Sequence, residues 1–220
     1  PQMCIFFQNG MSQRRRFIGR LTSSLDSLHL NRVYKYEKLL RQRSKILMQS
    51  KSDKTWLDAI ESQISELSVA ITASRLEMVE ALNDLYNKEL NDNYLIDNFP
   101  PAVIKLTGKI EELLTKKPAS EGEGIIKNNL KKSRFSEDEN IFGPNKTIIE
   151  ILNRKNNKNV NYASTGEQKL LLISIILSHA RMLNKNFNMA PILLLDDIVE
   201  HLDKKHRCAL FLEISRHEGQ

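Results

Sequence analysis

The stretch from Tyr162 to Asp203 restricts the fold of this chain more than any other. A polar run, Ser164-Thr165-Gly166-Glu167-Gln168-Lys169, opens a long apolar segment, followed by Pro191-Ile192-Leu193-Leu194-Leu195-Asp196-Asp197 and then Glu200-His201-Leu202-Asp203. A short apolar run between a proline and an acidic pair fits a buried parallel strand better than a helix of that length. Asp196 then stands at the carboxyl end of the strand, where open α/β sheets place their ligands. A carboxylate there suits a hydrated Mg2+ beside phosphates, because Mg2+ takes hard oxygen ligands and keeps most of its waters. Asp197, one residue on, is positioned to orient an attacking water. Ser164 reads as a helix N-cap, and Gly166 lets the backbone come close to a ligand. Free N–H groups and a hydroxyl at such a helix start favour an anion.

Ser164 to Lys169 resembles the signature motif of ABC-type ATPases, in the form used by the bacterial RecF family. Ile192 to Asp197 resembles the Walker B strand of that family, and Glu200 to Asp203 its D-loop. The Asp-Asp ending fits RecF, whereas most ABC and SMC ATPases carry Asp-Glu. Arg14-Arg15-Arg16-Phe17, the run Tyr36 to Arg43, and Arg134-Phe135 resemble further family landmarks.

The resemblance implies a partial α/β ABC-type ATPase lobe with an inserted α-helical antiparallel hairpin arm. Residues 1–15 would end the first part of the lobe, 16–135 would form the arm, and 136–220 would carry the signature, Walker B and D-loop. It implies ATP and Mg2+ as cofactors, with Asp196 as metal ligand and Asp196 and Asp197 as catalytic residues. Ser164, Gly166, Glu167, Gln168 and Asp203 would bind nucleotide, and Arg14, Arg15 and Arg16 would contact DNA. The implied protein is an ATP-dependent homodimer that clamps DNA, single-stranded DNA binding included, in recombinational repair, replication restart and the SOS response. Its expected partner is a RecR-type recombination mediator, and its expected place is the cytoplasm, away from membrane.

Two features depart from the family pattern. No Gly-x-x-x-x-Gly-Lys-Ser/Thr phosphate loop occurs in these residues, and Gly143-Pro144-Asn145-Lys146 stands where a Gly-Pro-His-Arg-type motif is expected. The first leads us to expect the C-terminal part of a longer protein, beginning at Pro1 and stopping at Gly219-Gln220, that is a weak ATPase only as the complete dimer. Two other readings exist. One is another ABC or SMC-type repair or chromosome ATPase, although such relatives carry far longer coiled coils. The other is a non-enzymatic helical interaction protein with a decayed nucleotide site.

The remainder of the chain reads mainly as helix. Leu21, Leu25 and Leu28, then Val33, Tyr36, Leu40 and Leu47, mark one face, with Asp26 and Asn31 as candidate breaks or caps. From Ser12 to Trp56 there are twelve basic and three acidic residues, and from Leu57 to Asn98 nine acidic and two basic. Leu57, Ile60, Ile64, Leu67, Ile71, Ser74, Met78, Ala81 and Leu85 form an a/d seam, so the two limbs should pair as an antiparallel hairpin with its tip at Gln49 to Lys54. The cations of the first limb read either as DNA-backbone contacts or as balance for the acidic limb.

Pro100-Pro101 marks a boundary. Helical spacing of Val103, Leu106, Ile110, Leu113 and Leu114 predicts one helix over Ala102 to Lys117. A polar break over Pro118 to Gly124 and a short basic helix over Ile125 to Arg134 should follow. Ser136 to Asn140 reads as a solvated acidic loop. Thr147 to Leu152 and Val160 to Tyr162 read as hairpin strands around a turn at Arg154 to Asn159. After Asp203, Ala209, Leu210, Leu212 and Ile214 should form the buried side of a last helix.

Composition adds bounds. A net charge of +6 and a pI near 9.3 are compatible with a nucleic-acid partner. Cys4 and Cys208 have no metal-ligand spacing and read as buried or incidental thiols. No apolar run approaches the ~20 residues of a membrane span.

Overall fold

The structure, a computed structural model, describes residues 10–49, 53–88, 98–135, 142–188, 191–193 and 202–218. It divides into two units. The first comprises Pro1–Arg14, Val79–Lys105 and Ile149–Gln220, and the second Arg15–Met78 and Leu106–Ile148.

In the second unit, which takes α1 (Met11–Ser23) from Arg15 on, α1 and α2 (His29–Leu47) are separated by a turn that Asp26 organises. Its carboxylate accepts from the Leu28 N–H at 3.1 Å and pairs with Arg32. Asp53 then starts α3 (Lys54–Lys88), which belongs to this unit as far as Met78, the Asp53 Oδ1 accepting from the N–H groups of Thr55 at 2.8 Å and Trp56 at 3.1 Å. Such an N-cap satisfies donors that the helix itself cannot. Helices α4 (Lys109–Lys116) and α5 (Ala119–Lys132) complete the unit. One apolar core runs from Tyr36 and Ile46 of α2 through Leu57, Ile60, Ile64 and Ile71 of α3 to Ile110, Ile126 and Leu130.

The a/d seam of α3 holds from Leu57 to Met78, then drifts. Ala81 is exposed, while Leu82 and Tyr86 are buried. An unsupercoiled helix repeats every 3.6 residues, so a strict heptad slips by about 20° per repeat and the buried stripe moves one residue on. Leu28, placed on the apolar face by spacing, is 55% exposed because it sits in the turn before α2.

Ala102 to Lys117 is a strand followed by a helix. Strand β1 (Ala102–Thr107) alternates buried and more exposed positions, and Gly108 separates it from α4. A Cβ on Gly108 would lie 2.4 Å from the Glu111 carboxylate, so a larger residue there would displace the Glu111 side chain. The expected polar break at Pro118 to Gly124 is also helical. Pro118 sits just outside α5, where its missing N–H costs nothing, and Gly122 lets α5 approach Leu114 and Val69.

In the first unit, β2 (Ile148–Asn153) lies between β1 and β3 (Lys158–Asn159) in the order β1-β2-β3. Strands β2 and β3 are antiparallel, with Leu152 opposite Asn159 and Asn153 opposite Lys158. The returning strand is shorter than expected, because Val160–Tyr162 forms a 3-10 turn. The Asn159 side chain accepts from the Asn161 N–H at 3.0 Å and turns the chain out of the ladder. Helix α6 (Thr165–Phe187) follows and is buried along most of its length, as its apolar composition requires. It ends at Asn188 in the left-handed region, with φ of 54°.

Helix α7 (Lys204–Glu218) packs Ala209 and Leu210 against Ile173 and Leu177 of α6, together with Phe99 and Leu202. Leu212, expected inside, is 53% exposed, and Glu213 is buried in ion-pair contact with Arg181 of α6. Cys208 is an exposed free thiol. No described helix is long and apolar enough to cross a membrane.

Candidate functional site

The start of α6 is built from local sequence. Ser164 is extended and its Oγ accepts from the Glu167 N–H at 3.3 Å, while the Glu167 carboxylate accepts from the Ser164 N–H at 2.7 Å. This is a complete capping box, the reciprocal arrangement that a serine and a glutamate three residues apart can make. That backbone N–H holds the Glu167 carboxyl below the usual carboxylate range, and the Lys158 ammonium, 3.6 Å away, adds to the effect. Sequence reasoning missed Lys158, whose position is set by the tight β2–β3 turn.

Gly166 lies in the first turn of α6. It is exposed, its φ is not positive, and a Cβ built on it would meet nothing within 4 Å. Neither backbone conformation nor crowding inside the chain therefore calls for glycine at this position. The surface beside it is open to an approaching group.

Gln168 does different work from its neighbours. It is buried, and its Nε2 donates to the carbonyls of Val160 at 3.0 Å and Ala163 at 3.2 Å. The amide ties the 3-10 turn to the helix and fixes the backbone that delivers Ser164. Arg14 contributes to the same support, because it is buried and donates to the Ile149 carbonyl at 3.3 Å and to the Asn161 side chain. Burial also lowers its pKa.

The three consecutive arginines thus separate. Arg14 is turned into the first unit, Arg15 donates to the Thr147 carbonyl at 3.0 Å in the second, and Arg16 is exposed. Successive helical residues point about 100° apart, so a triplet cannot present one surface. As a solvent-facing cation, Arg14 is corrected by its burial.

Asp203 caps α7. Its Oδ1 accepts from the His206 N–H at 2.8 Å and its Oδ2 lies 2.8 Å from His206 Nδ1. The His206 backbone N–H is the first reason that its carboxyl sits below the usual range. Asp196, Asp197 and Glu200 lie outside the described residues. Among the described residues no cluster of three or more His, Cys, Asp or Glu could hold a metal ion.

Asn145 is exposed, and its Oδ1 accepts from the Tyr36 hydroxyl at 2.8 Å, while the Pro144 carbonyl accepts from Arg75 at 2.9 Å. The Gly143-Pro144-Asn145 turn is thereby pinned within the second unit, and an amide oxygen suffices as the acceptor there.

No protein-family model matches the chain. Curated relatives do. Over its whole length the chain is 35% identical to the DNA replication and repair protein RecF of Rhizobium rhizogenes, spanning 58% of that protein. It is 36% identical to RecF of Brucella abortus, again over 100% of the chain and 57% of the relative. Over 96% of the chain it is 37% identical to RecF of Mesorhizobium japonicum, spanning 55% of it. The chain therefore spans a little over half the length of the curated relatives it matches.

Two solved structures of the recombination mediator protein RecF in the RecFOR pathway share the fold. One, with ATPrS, has a TM-score of 0.72 at 21% identity over 92% of this chain and 55% of that one. The other, with ATP, has a TM-score of 0.68 at 19% identity over 100% and 58%. The fold is that of an ABC-type ATPase lobe in part, with a helical arm.

Proposed function

Because the chain belongs to the RecF family of DNA replication and repair proteins, we propose that it is part of an ATP-dependent DNA-binding recombination mediator. In this reading the start of α6 meets the γ-phosphate of an ATP held by a second copy of the protein. The observation that carries it is Gly166. A glycine inside a helix costs about 0.5–1 kcal/mol relative to alanine, and among the described residues none comes within 4 Å of a Cβ at Gly166 to call for one. A phosphate approaching the exposed first turn does, since N–H groups and the helix dipole both favour an anion there.

The Glu167 carboxylate already accepts from one N–H at this helix start, that of Ser164, as an internal anion. The incoming phosphate replaces that carboxylate or seats beside it, with Ser164 Oγ as a further hydrogen-bonding group. Gln168 positions the turn instead of touching nucleotide, and Arg14 positions it instead of touching DNA. Asp203, exposed at the start of α7, is retained as a nucleotide contact.

Mg2+ would be held by Asp196, whose carboxylate is the hard oxygen donor that this ion prefers. The ion would neutralise phosphate charge, and Asp197 would orient the attacking water. Closure of the homodimer around ATP would hold DNA, and a RecR-type protein would be the partner in a cytoplasmic repair assembly. The contact to DNA near the arginine triplet falls to Arg16, with Arg15 beside it. The names of the relatives favour this over a chromosome-organising ATPase or a decayed site.

The test uses the complete protein. Ser164→Arg should abolish ATP-dependent dimerisation in sedimentation, because a bulky cation fills the space of the phosphate. Asp197→Asn should preserve the ATP-bound dimer while lowering turnover by more than about tenfold, within the range of lost general acid–base catalysis. A full ATP-dependent dimer in the first variant, or unchanged turnover in the second, overturns the assignment of that residue.

A further inference from the structure

Helix α2 carries Lys35, Lys38, Arg41 and Lys45, all exposed, and none of them makes an ion pair among the described residues. The acidic limb does not balance them. Asp58 and Glu61 of α3 are engaged by Arg43, Lys131 and Arg134, while Arg32 is taken by Asp26. At 3.6 residues per turn the four cations fall within about 60° of Lys38, on the face opposite the buried His29, Tyr36 and Arg43. Asn31, Tyr34 and Gln42 stand between them.

This face has a definite chemistry. It bears four cations and three neutral hydrogen-bonding side chains, and no carboxylate. Glu37, the one acid of α2, lies about 100° round the helix from Lys38 and about 40° from Arg41, so it borders the face at its Arg41 edge. From Asn31 to Lys45 the face is about 21 Å long, at ~1.5 Å per residue. A nucleic-acid duplex presents about one phosphate per 1.7 Å of its axis. Lysine, arginine, asparagine, glutamine and tyrosine are among the side chains that bond phosphate oxygens without reading bases.

We propose that this face of α2 seats on the phosphate backbone of duplex DNA, independently of nucleotide and of base sequence. The inference rests on the proposed function only for the identity of the polyanion. Its contribution is electrostatic, through release of counterions from the phosphates that the four cations neutralise.

The test is the salt dependence of duplex binding by this 220-residue chain without ATP, followed by fluorescence anisotropy from about 50 to 200 mM salt. Neutralising Lys35, Lys38, Arg41 and Lys45 together to Gln should make the slope of log K against log salt shallower by about 3–4, at ~0.9 for each phosphate left without its cation. Affinity should fall at least about tenfold at the low-salt end. A control neutralising Lys105, Lys116, Lys132 and Lys185 removes equal charge elsewhere and should shift the slope by less than about 1. Replacing Lys35, Lys38 and Lys45 with Arg should keep the original slope, and circular dichroism checks that each variant is folded.

The proposal is overturned by a slope that survives the Gln variant, by a control that flattens as much, or by a parent chain that binds no duplex. It is also overturned if the face binds polyglutamate and not DNA, which would make the partner an acidic protein. Loss of the ATP-driven dimer in the complete protein, with the salt slope intact, would sink the clamp and leave this surface standing.

Discussion

Glu61 and Glu167 are both helical glutamates bonded within their own unit, yet they stand in opposite surroundings. Glu61 is fully buried, with Arg43 Nε at 2.8 Å and Arg134 Nε at 3.0 Å, and Arg43 also donates to the Leu130 carbonyl at 2.7 Å. Glu167 is partly exposed and bonded to the N–H of its own capping serine. Removing water from a charge makes its partner indispensable, whereas an exposed carboxylate can be exchanged for another anion at small cost. The second unit thus commits its glutamate to architecture, and the first keeps one that a ligand can displace.

The largest effect that would break this contrast is at Glu61. Glu61→Gln leaves Arg43 buried without its counterion and should destabilise the protein by about 3–5 kcal/mol in urea denaturation. A loss below about 1 kcal/mol would mean that the pair is as dispensable as a surface bridge.

Acid should separate the units next. His29 is buried with neither ring nitrogen hydrogen-bonded, and burial, with the nearby Arg75 guanidinium, lowers its pKa to about 4. The unfolded imidazole, with a pKa near 6.5, binds a proton that the folded one refuses between about pH 6.5 and 4. Stability is therefore full above that window and lost as pH falls through it, by about 3 kcal/mol in total. His29→Leu should flatten the dependence in that window. A parent curve already flat from pH 7 to 4 would contradict the burial of a neutral imidazole.

The smallest effect is at the capping box. Ser164→Ala should cost about 1 kcal/mol, as lost N-caps do. A loss as large as that at Glu61 would show that the α6 start is as rigidly committed as the ionic core, and would remove the contrast.

Local chemistry made some of this legible in the chain itself. A serine three residues before a glutamate specifies its own capping box, and the apolar spacing from Leu57 to Ile71 specifies its buried face. Longer-range facts were not legible. Val103, Leu106 and Ile110 satisfy helical spacing as well as they satisfy a strand running into a helix, because short apolar runs fit both periods. The inward turn of Arg14 depends on a carbonyl 135 residues away. Gln168 reads as a motif residue, but its bonds run to the preceding turn. Whether the basic limb balances the acidic one could not be decided from charge counts, since only the pairing of Arg43 and Arg134 with Glu61 reveals which cations are engaged.

Trp56 gives the molecule a built-in reporter. It is the sole tryptophan, 54% exposed in the first turn of α3, and it belongs to the second unit. Its emission follows melting of that unit, while far-ultraviolet dichroism collects backbone signal from helices throughout the chain. Superimposable curves from the two probes would mark a single cooperative transition, and separated midpoints would give each unit its own stability without any label being introduced.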